Sequence, residues 1–145
     1  MSHSGSFDVK TPAGFLGQMV VPQYNDFLTN NASSRFALLC AVVAYHMYEW
    51  ANNRTEFREA DFKVRYPAKA HLAEWFELAR RLVNGTKHFE NRIATRTKTG
   101  FSSAFSSAFA RPLYVIKDDG SQVSADDLLK EMVDFWSDEH AAGAF

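Results

Sequence analysis

Cysteine is nearly missing from this chain. Cys40 is the single one among 145 residues, so no disulfide can form within the chain and no Cys/His spacing for a zinc site exists. It lies in the apolar run 37–43, the setting of a buried, inert thiol. One such thiol fits a reducing compartment, and a cytoplasmic location is expected. Charge of one sign is missing as well. Sixteen Lys and Arg face seventeen Asp and Glu, a net charge of -1, which excludes a globally basic nucleic-acid binder and a polyacidic tail. Long hydrophobic runs are also absent. The longest, from Phe36 to Trp50, contains His46 and Glu49 and falls short of a bilayer span, so a core helix is expected and no membrane association. The first residues carry neither a basic nor an apolar stretch of the kind a signal peptide needs. No phosphate loop, dinucleotide fingerprint or Gly-x-Ser-x-Gly occurs, and nothing calls for a cofactor or a metal.

Aromatic residues are plentiful. They make up 14% of the chain and 13 of them are Phe, so the core should be bulky. With 46% hydrophobic residues, a chain of this length can bury one core without disulfide or metal staples.

The expected fold is mainly α: a bundle of four to five helices with a short β-hairpin before the last helix. Residues 1–10 read as a loose arm, 11–140 as a single helical domain and 141–145 as a frayed tail. Thr11-Pro12 is a helix start, with Thr as cap and Pro at the first helical position. Pro22 predicts a kink or break near Val21. Ser33 or Ser34 should cap a second helix reaching about Ala51, apolar around most of its circumference and so central to the bundle. Thr55 can cap a short helix from Glu56 to about Arg65, which Tyr66-Pro67 should end. Pro67 can open the next helix, to about Arg92. One side of it carries Leu72, Trp75, Phe76, Ala79, Leu82, Val83 and Ile93, the other Glu74, Glu77, Arg81, Gly85, His88 and Arg92. Residues 94–110 lean toward extended or turn-rich structure. Leu113-Tyr114-Val115-Ile116 reads as a strand, Lys117 to Ser121 carries the Asp-Gly hairpin signal, and Gln122-Val123 returns. Ser124, with Asp127 three residues on, should cap a last helix running to about Glu139.

Charge is uneven along the chain. Residues 80–111 carry a net +6 and residues 117–139 a net -6. Either the two segments attract each other or are simply solvated, or they form a basic surface for phosphates beside an acidic one for a partner.

The stretch Ala79-Arg80-Arg81-Leu82-Val83-Asn84-Gly85-Thr86-Lys87-His88 holds the candidate chemistry. Arg81 and His88 stand two helical turns apart, within about 20° of one face, with Asn84 between them. An imidazole can act as acid or base near neutral pH, and a guanidinium beside it can hold a phosphate. Asn84 would orient a sugar hydroxyl or the histidine. Such a set suits metal-independent RNA cleavage. The plain alternative is a solvated helix face with i, i+4 pairs among Glu74, Glu77, Arg81 and Arg92.

This stretch, with the all-helical outline, resembles the HEPN superfamily of small helical bundles. Many members carry an Arg, four to six intervening residues and a His, and here six residues separate Arg81 from His88. The resemblance implies a homodimer, because family catalytic sites commonly form where two protomers meet, and it implies RNA as a substrate or partner. It departs from the ribonucleases at Leu82, where those often have a polar residue. Arg80, Lys87 and Arg92 are candidate binding residues on the basic side. The tandem repeat 101–109 adds Phe101, Phe105 and Phe109, either plugs that dock a loop on the bundle or an interaction stripe for a protein partner.

His46 and Glu49 offer two metal ligands, but the two Glu-x-x-His motifs of a dinuclear bundle are missing, so His46 is expected to be a core or interface residue. His71 and His140 have no partners in sequence. Three functions follow: a HEPN-like non-catalytic binding or assembly module, a HEPN-like metal-independent ribonuclease acting as a toxin or defence factor, and an accessory protein docking through its Phe repeat.

Overall fold

A computed structural model describes residues 6–88, 93–97 and 113–145. The chain is mainly helical, with a small antiparallel sheet before the last helix. The first helical stretch begins as α1 (Pro12–Phe15). The Thr11 hydroxyl accepts from Gly14 N–H at 2.9 Å, the expected cap. Pro22 does not break the helix. A proline ring crowds the carbonyl four residues back and supplies no donor. The backbone answers with a π turn, Leu16–Val20, in which Val21 N–H reaches back to the Leu16 carbonyl, and α2 (Val21–Thr29) carries on at helical angles.

Helix α3 (Ser34–Ala51) starts from Ser33, whose hydroxyl accepts from Phe36 N–H at 3.3 Å. It packs against α1, α2, the fifth helix and the last helix, so the most apolar helix is the central one, as its sequence requires. Cys40 on α3 is fully buried, and burial pushes its thiol up to about 12 from an ordinary 9.0. Burial likewise pushes the Tyr45 phenol up to about 12 from 10.0. The folded state therefore keeps these protons at pH values where the unfolded chain loses them. Their contribution is whole below about pH 8 and drains away as pH rises through 9 toward 12. Urea midpoints measured at pH 6.5, 7.5 and 10.5 should be level between the first two and lower at the third. The thiol should resist an aromatic disulfide reagent until urea unfolds the chain, and rapid native-state labelling would contradict this burial.

A turn with left-handed Asn53 (φ 53°) and Arg54 (φ 67°) leads away from α3. Thr55 does not cap the next helix. Residues 55–58 are not helical, and α4 (Glu59–Arg65) begins after Arg58, whose backbone is extended. The reason is tertiary: the non-helical run drops Phe57 into the core at 3% exposure, edge-on to Tyr48 and stacked on Phe76. Tyr66 ends α4 as expected. Pro67 opens a 3-10 turn, Pro67–Leu72, which leaves helical angles at Lys69 before α5 (Ala73–His88). The helix expected from Pro67 thus starts six residues late, and its predicted end at about Arg92 lies outside the described residues.

The core is an aromatic cluster. Phe62 of α4 meets Tyr48, Phe57, Tyr66, Phe76 and Phe135, with ring centroids between 4.9 and 6.3 Å apart. Trp136 donates its indole N–H to the Ala44 carbonyl of α3 at 2.9 Å, so the polar atom of the largest core side chain is satisfied. The Tyr48 hydroxyl is not: it is buried with no hydrogen-bond partner among the described residues. An orphaned buried hydroxyl costs about 1–3 kcal/mol. Tyr48→Phe removes it and keeps the ring, so the variant should melt no lower than the parent and by up to about 1 kcal/mol higher. A clear loss of stability would mean that the hydroxyl has a partner.

The sheet has strand order β1 (Ala94–Thr97), β2 (Leu113–Ile116), β3 (Gln122–Ser124), all antiparallel. Thr95 faces Val115 and Thr97 faces Leu113, on the side that covers the helices. Arg96 and Tyr114 pair on the outer side, the guanidinium 5.6 Å from the ring centre and donating to Gln122 at 3.0 Å. The β2–β3 turn uses Gly120 at φ 86°, the left-handed position that the Asp-Gly pair predicts. Ser124 then caps α6 (Ala125–Ala141), accepting from Asp127 N–H at 3.0 Å. Where fraying was expected, the tail closes on itself. Gly143 turns left-handed, Gly143 and Ala144 donate back to His140 and Glu139, and the His140 ring stacks on Phe145. His140 therefore has a partner that the sequence did not indicate. No helix among the described residues is long and apolar enough to cross a membrane.

Candidate functional site

The polar face of α5 is built from residues one and two turns apart: Glu74, Glu77, Arg81 and Asn84. The β2–β3 turn lies across it. Lys117 places its ammonium 2.5 Å from Glu74, and Asp118 meets the Arg81 guanidinium at 3.2 Å. The Glu74 carboxylate raises the Lys117 pKa through a direct hydrogen bond. Two neighbouring hairpin residues thus reach opposite ways along the helix to partners seven positions apart. The basic and acidic stretches of the sequence meet at the Arg81–Asp118 pair, which is the attraction that the charge pattern allowed.

Arg80 goes elsewhere. It forms a forked pair with Glu77 one turn back, its Nε 2.8 Å from Oε2 and its Nη2 2.5 Å from Oε1. That hydrogen bonding raises the pKa of an already permanent cation. Adjacent residues on a helix point about 100° apart, so Arg80 and Arg81 do not form a joint basic clamp. Asn84 and Lys87 are exposed farther along α5. His88 closes α5, and its imidazole lies outside what the structure describes, as do Arg92, Phe101, Phe105 and Phe109. Of the proposed catalytic set, Arg81 and Asn84 share the helix face, and Arg81 is already engaged by a carboxylate.

His46 is half-buried, its ring 5.7 Å from that of Tyr45. Among the described residues, no three His, Cys, Asp or Glu side chains gather to hold a metal ion. No family model, curated protein or solved structure matches this chain.

One feature escaped the sequence. A cavity of about 100 Å³ opens between α3, α5, α6 and the inner face of the sheet. Ala37, Leu38 and Ala41 of α3 form one wall, Leu82 and Leu128 the floor, and Thr95 and Thr97 the roof, with Ser34 at the rim. Small Ala side chains on a helix that is otherwise bulky leave the space open. The alternation in Ala94-Thr95-Arg96-Thr97 was the available signal, because it puts two threonines on one face of a strand. Arg96, between the two threonines, also lines the cavity. The space is large enough for one small, mostly apolar group.

Proposed function

We propose that this protein is a non-catalytic binding and assembly module of the HEPN-like kind. The observation that carries the reading is the Arg81–Asp118 ion pair. A guanidinium poised to hold a scissile phosphate needs its donors turned to substrate. Here Asp118 takes that place, and the polar face of α5 serves as the seat for the protein's own hairpin. Leu82, beside Arg81, adds an apolar residue where ribonucleases of the resembling superfamily often have a polar one. The cavity beneath the sheet supplies the complementary element, an apolar recess in which a second copy can bury one side chain. The homodimer rests on the resemblance.

Two measurements test this. Incubated with several RNAs in EDTA, neither the wild type nor His88→Ala should cleave. Cleavage by the wild type alone would instead establish the metal-independent ribonuclease, the second reading, which the exposed Asn84 and Lys87 beside Arg81 favour. In sedimentation, the wild type should run at twice the monomer mass, and a monomer at all concentrations would remove the assembly reading. Ala41→Leu, which fills the cavity, should weaken association about tenfold or more while leaving the melting temperature unchanged or higher. Unaltered association in that variant would move the interface away from the cavity.

A further inference from the structure

We draw no further inference here: the strongest candidate, the apolar cavity between α3, α5, α6 and the inner face of the sheet, belongs to the site already described.

Discussion

Phe62→Ala should lower the unfolding free energy by about 3–5 kcal/mol, the usual cost of emptying a buried aromatic site. Phe62 is fully buried and touches rings from α3, α5, α6 and the 55–58 segment. It is also the only buried residue of α4, a helix of seven residues. Helices this short have no independent stability, so α4 is held by its docking. Removing the ring takes away both the packing and the anchor. Urea denaturation followed by tryptophan fluorescence reads the change, since Trp136 lies in the same cluster. A loss under about 1.5 kcal/mol would mean that the site collapses around the gap and that α4 is held by something else.

Asn52→Ala should cost about 2 kcal/mol. Among the described residues, Asn52 and Ser124 are the buried polar side chains, Asn52 at 8% exposure. Its amide donates to the Tyr48 carbonyl and to the Tyr66 hydroxyl, both at 3.0 Å. Its carbonyl oxygen accepts from Arg65 at 3.0 Å. One side chain therefore closes the end of α3 and ties it to the end of α4. Alanine leaves the half-buried Tyr66 hydroxyl without this partner, and a melting temperature lower by roughly 6 °C is expected. The coupling is measurable. Tyr66→Phe should cost less in the Asn52→Ala background than in the wild type, because the hydroxyl it removes is already orphaned. Equal costs in the two backgrounds would mean that the two side chains act independently.

Much of the fold was legible in particular residues. Thr11, Ser33 and Ser124 each cap the helix expected of them, and Gly120 turns the hairpin where the Asp-Gly pair places it. Most of the apolar side of α5 is buried as expected, Phe76, Ala79, Leu82 and Val83 inside and Glu74 exposed, but Trp75 is only half-buried and Leu78 is buried as well. Thr55 was a comparable local signal and failed. Its capping bond is worth about 1 kcal/mol, while burying the Phe57 ring is worth about 2–3 kcal/mol, so the chain stays out of the helix to place the ring. Pro22 signals an interruption in the sequence, but the π turn before it absorbs the misfit without ending the helix.

The candidate site was less legible. Arg81, Asn84 and His88 were placed on one helix face by spacing, and the described part of that face agrees. What occupies it was decided by Asp118, 37 positions away. The cavity joins Ser34 and Ala41 to Thr95, Leu113 and Leu128, residues with no local relation. By itself, then, the sequence determined the caps at Thr11, Ser33 and Ser124, the central place of α3, the apolar side of α5 and the hairpin, because those rest on bonds and periodicities spanning a few residues. Only the tertiary structure decided where Phe57 goes, that Arg81 is held by the hairpin, and that small side chains on α3 leave a recess under the sheet. Those outcomes depend on which distant groups compete for the same volume or the same charge. That competition is settled only when the whole chain packs.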